Sequence, residues 1–285
     1  MGSEMNTRST WLPLLGLLAS ACGDNLTVVP ERDPYQSPEP TPLACLPDLD
    51  GRIEADELQT AYGLPVRYLV SPAGETRAVD VTGRLDPAGR RVWDWGADHV
   101  TDQQAEVIVR PLEDQWYAAG FPTGQFVVPF DAGGRLHAVQ RRDAQGVYLL
   151  GLASAEERPS EGQTLLAYQT PVQVLRFPLR PGERWISAGL VQNGVIRDLP
   201  YAGRDTYEIE VDGAGRLELP DVTFTQALRV RTRTTVEPAV GLSTSQRQVS
   251  FFFECFGEVA RATSLLDEPE EDFQTALEVR RLGLL

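Results

Sequence analysis

The sequence predicts a mainly β protein, built of antiparallel sheets folded as a curved sheet, a half-barrel or a sandwich, with one short helix near the start of the folded body. Three observations lead there. From residue 66 onward apolar residues recur with a period of two, the spacing of a strand with one buried face. Tetrads that open with Asp and close with Gly recur at 86–89, 131–134, 143–146 and 212–215. Asp starts a turn by accepting backbone N–H groups, and Gly takes the positive φ that ends it. No strand–helix–strand alternation is visible, which argues against a doubly wound α/β fold.

The chain opens with a segment that is not fold. Arg8 precedes a short apolar stretch at 11–18, and small residues at 19–21 lead to Cys22 and Gly23. Charge, apolar core and small residues in that order make an export signal over 1–21. The apolar stretch is shorter than the ~20 residues that span a bilayer. The run into Cys22 resembles a bacterial lipobox, and the resemblance implies that Cys22 is acylated and becomes the mature N-terminus. A plain signal peptide cut nearby is the alternative. Residues 22–44 carry Pro30, Pro34, Pro38, Pro40 and Pro42 among acidic and hydroxyl residues, and read as an extended tether.

The body then runs over 45–285. Ile53, Leu58, Ala61 and Tyr62 can share one helical face over 53–62, with Gly63 and Pro65 as the stop. Short β-type runs follow at 125–130, 147–152 and 206–211. Two long ones, 222–236 and 245–263, meet across Pro238, Ala239, Val240 and Gly241, and 272–285 reads as a closing strand or a short helix. Punctuation at 178–182 leaves one or two β domains open. A long curved antiparallel hairpin is similar in architecture, though in no motif, to the half-barrels of the outer-membrane lipoprotein carrier and receptor superfamily. That resemblance implies a concave face able to hold an apolar ligand.

Composition narrows the function. The formal charge of −15 disfavours nucleic acid as a partner. All 26 basic residues are arginine. Of three cysteines, lipidation of Cys22 leaves Cys45 and Cys255, and an oxidising compartment favours a disulfide between them.

The sharpest local pattern is Asp48-Leu49-Asp50-Gly51-Arg52-Ile53-Glu54-Ala55-Asp56-Glu57. It resembles the second half of an EF-hand or dockerin-type calcium loop. With Gly51 at the turn, Asp48, Asp50 and Glu54 fall on ligand positions, the Arg52 carbonyl on a seventh, and Glu57 on the bidentate twelfth. Leu46 occupies the first ligand position and has no side-chain oxygen. The other reading is a helix start, with Asp50 as cap and acidic residues in the first turn.

Catalytic patterns are sparse. The two histidines, His99 and His137, lie in unrelated contexts, and no nucleophile elbow, zinc helix or phosphate loop is present. Asp98, His99 and Asp102 read as a metal cluster or as a solvated acidic loop. Trp93, Trp95, Trp116, Tyr117 and Phe121 read as sheet core or as the lining of a ligand site.

The runs Cys45-Leu46-Pro47-Asp48-Leu49-Asp50-Gly51, Trp93-Asp94-Trp95 and Phe253-Glu254-Cys255-Phe256-Gly257-Glu258 are similar to lipoproteins of predatory soil myxobacteria, a resemblance that implies no particular activity. The sequence therefore leads to a non-enzymatic lipoprotein of the bacterial envelope, lipid-anchored outside the cytoplasm, with the outer membrane as the expected site. Its expected partners are the membrane through the N-terminal lipid and a protein or apolar ligand on the sheet. Its one candidate cofactor is calcium. The rival is a surface-attached glycan hydrolase using paired carboxylates.

Overall fold

A computed structural model describes residues 45–283. The expected signal segment, Cys22 and the tether lie outside the described residues. The strands in chain order are β1 (Pro65–Val70), β2 (Arg77–Ala78), β3 (Arg84–Leu85), β4 (Arg91–Asp94), β5 (Gln103–Ile108), β6 (Arg110–Pro111), β7 (Phe126–Pro129) and β8 (Leu136–Asp143). They continue as β9 (Gly146–Ser154), β10 (Leu165–Arg176), β11 (Arg184–Ile196), β12 (Leu199–Glu218), β13 (Thr223–Pro238), β14 (Thr244–Phe253), β15 (Gly257–Leu266) and β16 (Thr275–Leu282).

All sixteen join one sheet, in the order β5-β1-β16-β15-β14-β13-β12-β11-β10-β9-β8-β7-β6, with β2, β3 and β4 as side branches. The two strands at the ends of that path, β5 and β6, are separated in sequence by Val109 alone. One residue thus carries the chain from one sheet edge to the other, so the edges must lie side by side and the sheet nearly closes into a barrel. Gly63 N–H donates to the Val109 carbonyl at 2.9 Å and covers the seam. The mainly antiparallel β expectation holds. Pro178–Gly182 lies in the connection between β10 and β11, which are neighbours in the sheet.

The register separates two ends of the barrel. At one, Phe253 faces Gly257 and Glu218 faces Thr223. At the other, Gly203 faces Pro238, Val236 faces Thr244 and Gln246 faces Leu266. The ten residues of β14 separate them, about 34 Å in extended chain. We call the first the disulfide end, for the bond described below, and the second the far end.

Strands β12 and β13 serve two cores. Tyr207, Ile209, Val211, Leu228 and Val230 pack with Leu149, Leu166, Val172 and Trp185. Leu217, Leu219, Phe224 and Ala227 pack instead with Trp93, Trp95, Phe251, Phe253 and Phe273. Bulges between Val211 and Gly213 and between Gly215 and Leu217 fall between the two sets and re-aim the strand. A third, smaller core forms where Leu112, Tyr117 and Phe121 lie over Val127, Val139 and Leu150. Trp93, Trp95, Tyr117 and Phe121 are therefore core residues, buried at 0–5% exposure.

Three local expectations fail, each for a tertiary reason. The helix over 53–62 is only a three-residue 3₁₀ turn, Ala55–Glu57. Ile53 is held in extended backbone by a reciprocal pair of 2.8 Å hydrogen bonds with Leu179, and its side chain is 1% exposed in the core. Tyr62 is likewise bridged to Val109. Ten residues tied at both ends to strands cannot also wind into a helix, and so short a helix is marginal by itself. The tetrad at 212–215 is not a turn but lies inside the 20-residue β12. Asp212 takes two hydrogen bonds from Arg229, at 2.7 and 2.6 Å, and one from Arg231. A Cβ on Gly215 would sit 2.4 Å from the Arg91 carbonyl, so the glycine is what lets β4 pair in parallel there. The run 245–263 breaks into β14 and β15 at a tight turn over 254–256, where Cys255 has φ 66° and Gly257 φ 77°.

Candidate metal centre at the disulfide end

The segment 45–57 crosses the disulfide end as a series of short turns. The Asp48 carboxylate accepts from Asp50 N–H at 3.0 Å, and the Asp50 carboxylate from Arg52 N–H at 3.1 Å. Such short acidic side chains favour local backbone bonds over helix. Leu49 and Gly51 take positive φ, 58° and 91°. Glu54 and Glu57 close the segment with a capping box, in which Glu54 N–H donates to Glu57 Oε2 at 2.8 Å.

Two long-range links fix this segment to the barrel. Cys45 and Cys255 form a disulfide with Cα atoms 5.6 Å apart, inside the range that unstrained disulfides occupy. Cys255 N–H also donates to the Glu57 carbonyl at 2.8 Å. Beside that bond Glu254 Oε2 accepts from Leu49 N–H at 2.8 Å. Its side chain is turned inward, with 4% exposure.

The outcome is a group of three carboxylates. Ligand oxygens of Asp48, Glu57 and Glu254 all lie within 4.8 Å of one another. Burial raises the Glu57 pKa above the ordinary carboxylate value, and the neighbouring charges of Glu254, Asp48 and Asp50 raise it further. Like charges held this close favour either a shared proton or a bound cation. Hard oxygen donors on two chain segments suit calcium, which takes six to eight oxygens at roughly 2.3–2.6 Å and accepts irregular geometry. Three carboxylates leave several positions to backbone or water.

The five residues expected from sequence divide. Asp48 and Glu57 converge. Asp50 and Glu54 face Arg52, whose Nε lies 2.8 and 3.1 Å from them. Arg52, whose carbonyl is the expected seventh ligand, has its guanidinium between these two carboxylates. Glu254 is the residue that loop spacing could not supply. Its signal is indirect: pairing Cys45 with Cys255 puts residue 254 beside the loop.

The other candidates resolve differently. Asp102 is bound by Arg281 at 2.6 Å and by Arg77, with its side chain 4% exposed. His99 lies nearby with its pKa lowered, by burial first and then by Arg77 and Arg281. Two arginines thus occupy the carboxylate that a metal at 98–102 would need. His137 Nδ1 pairs with the Tyr117 hydroxyl at 2.6 Å in the third core, and burial lowers its pKa.

Charge inside the barrel also differs along its length. Towards the disulfide end Glu258 sits 2.8 Å from Arg280 and 3.5 Å from Arg261, and takes a 3.0 Å hydrogen bond from Ser250. Burial works to raise its pKa, but the two arginines bring it below the ordinary value. Tyr68, whose ring lies under Arg280, is pushed up to about 12 by burial. Towards the far end Asp205 meets Tyr168, whose hydroxyl donates to Oδ2, and forms no ion pair among the described residues. Its Oδ1 is buried without a partner, and burial raises its pKa. A seam cavity of about 30 Å³, bordered by Tyr68, Glu106, Asp131 and Arg280, has room for about one or two waters.

No helix among the described residues is long and apolar enough to cross a membrane. Comparison with protein families, with curated proteins and with solved structures yields no match, so function is read from this geometry.

Proposed function

We propose that this chain is a non-enzymatic bacterial envelope lipoprotein, lipid-anchored through Cys22, whose barrel presents its far end to a protein partner. The observation that carries the reading is the Cys45–Cys255 disulfide. It is a bond of oxidising compartments, and it leaves Cys22 as the one cysteine outside it, directly after the small residues that end the export signal. It also ties Cys45, at the start of the folded body, to the turn after β14.

The partner surface follows from what the opposite end exposes. Leu199 and Leu266 at strand ends, and Val240 and Leu242 in the connection between β13 and β14, lie at the far end with 61–92% exposure. Apolar side chains gathered on hairpin tips favour contact with another surface. Calcium at Asp48, Glu57 and Glu254 would relieve their mutual repulsion and stiffen the segment 45–57.

Metabolic labelling with a fatty-acid analogue tests the anchor: the wild type takes up label and fractionates with membrane, and Cys22→Ser does neither. Label in Cys22→Ser, or none in the wild type, would overturn the reading. Calorimetry on the mature protein tests calcium, with a Kd expected in the ~10⁻⁴–10⁻³ M range of extracellular modules. No heat at millimolar calcium would leave the three carboxylates as hydrogen-bond acceptors that hold the loop in place.

A further inference from the structure

Beside the disulfide end, an open groove of about 520 Å³ runs between the segment 55–62 and the turn joining β8 to β9. That volume is in the range of small-ligand sites. Its lining sets polar groups beside one ring: Asp56, Gln59, Thr60, Arg142 and Asp143 border it with Tyr62, and Ala55 and Ala144 add small apolar surface.

The ring is a fixed platform. Tyr62 is 49% exposed, yet its backbone is bridged to Val109 and its edge packs on Phe126 at 6.2 Å and 88°. A half-exposed aromatic held from behind loses little freedom when a ligand stacks on it. Arg142 borders the same groove. Its guanidinium lies over the Phe177 ring at 5.7 Å, its Nε is buried without a hydrogen-bond partner, and it makes no ion pair among the described residues. Asp143 Oδ1 is committed to Gln145 N–H at 2.8 Å, leaving its second oxygen as an acceptor.

We propose that this groove binds a short saccharide, stacked on Tyr62 and hydrogen-bonded by Arg142 and the surrounding carboxylates and amides. A sugar ring has an apolar C–H face for the aromatic and hydroxyls on its rim for planar donors and acceptors. The lining excludes the main competitors. An apolar ligand would strand Arg142, Asp56 and Gln59 without water, and a polyanion would meet Asp56 and Asp143 in a chain of charge −15. Arg142 can serve a neutral hydroxyl or, through its planar fork, a sugar carboxylate. The assignment stands independently of the anchor and of calcium.

The test is calorimetry on the mature protein in a sugar-free detergent, with chitotetraose and cellotetraose as neutral probes and methyl galacturonoside and a muramic-acid disaccharide as singly carboxylated ones. At least one probe should bind saturably with a Kd of about a millimolar, as an open groove allows. Tyr62→Ala should weaken it about tenfold or more, the scale of one lost aromatic contact. Arg142→Gln should weaken a carboxylated probe more than a neutral one, and Leu64→Ala, outside the groove, should change nothing. If Tyr62→Ala lowers the melting temperature, Gln59→Ala at an exposed position without a side-chain partner repeats the test. Silence from all four probes, or wild-type binding in a folded Tyr62→Ala protein, would overturn the proposal. Cleavage of a bound probe would uphold the groove as a saccharide site and overturn the non-enzymatic reading instead.

Discussion

The two ends of the barrel are held together by different physics. The disulfide end combines a covalent bond, a three-carboxylate group and a buried ion cluster of Glu258, Arg261 and Arg280. Its aromatic packing is dense, with Trp93 and Trp95 on Phe251 at 4.8 and 5.0 Å. The far end has no covalent tie among the described residues. It carries apolar tips outside and, inside, one carboxylate among Tyr168, Tyr207 and Tyr201. Breaking one partner of a buried ion cluster is costly, whereas an unpaired buried carboxylate is a standing cost that a proton can remove. One end is therefore built to stay fixed, and the other is open to adjustment.

The largest effect should come from the disulfide. Replacing Cys45 and Cys255 together by Ala should lower stability by up to about 5 kcal/mol, since the bond closes a loop spanning 210 residues. Hydrogen exchange should show protection lost at Leu49 and Ile53 before it is lost in β12. An unchanged melting temperature would erase the contrast between the ends.

Next is Asp205. Its folded pKa lies above the unfolded value of about 3.8, so its contribution is fully favourable below 3.8 and is lost as pH rises through the raised folded value. Asp205→Asn should stabilise the protein at neutral pH by about 1–3 kcal/mol, the cost of a buried unsatisfied polar group. Denaturant melts of wild type and variant across mildly acidic to neutral pH should converge at the acid side. A destabilised variant at neutral pH would show that the carboxylate is compensated by something other than the tyrosines that face it.

The calcium group sets a smaller effect of the same sign. Burial and its acidic neighbours raise Glu57, so its contribution too is present below the ordinary 4.5 and lost as pH rises through the folded value. Calcium at tenfold over its Kd should stabilise the wild type by ~1.4 kcal/mol, and Glu254→Gln should abolish that gain. A gain that survives in Glu254→Gln would move the ion elsewhere. The smallest change belongs to the far tips. Val240→Asp with Leu242→Asp should leave stability within ~0.5 kcal/mol, because both residues are exposed, while, on the proposed far-end contact, a crosslinker placed at the exposed position 199 should lose its adduct.

Much of this was legible along the chain, and particular residues show where legibility stops. The period-two pattern over 203–211 in β12 and the Asp–Gly turn between β8 and β9 are local, and they appear as read. The disulfide was accessible from counting cysteines and from compartment. The carboxylate group was half accessible, because spacing ties Asp48 to Glu57 but says nothing of Glu254, which comes from the turn after β14, some two hundred residues on. The groove joins residue 62 to residue 142, and neither position stands out in its own neighbourhood.

By itself, then, the sequence determined the strand period, the turn chemistry, the acidic charge and the supply of cysteines, since each depends on neighbours within a few residues. Only the tertiary structure decided that 53–62 is bridged rather than helical, that Gly215 admits a parallel strand rather than a turn, and that β5 and β6 meet across Val109. The reason is one of scale. A backbone hydrogen bond to a strand and a side chain in the core outweigh the few tenths of a kcal/mol per residue by which local preferences differ. Where the two conflict, the contact made across the fold prevails.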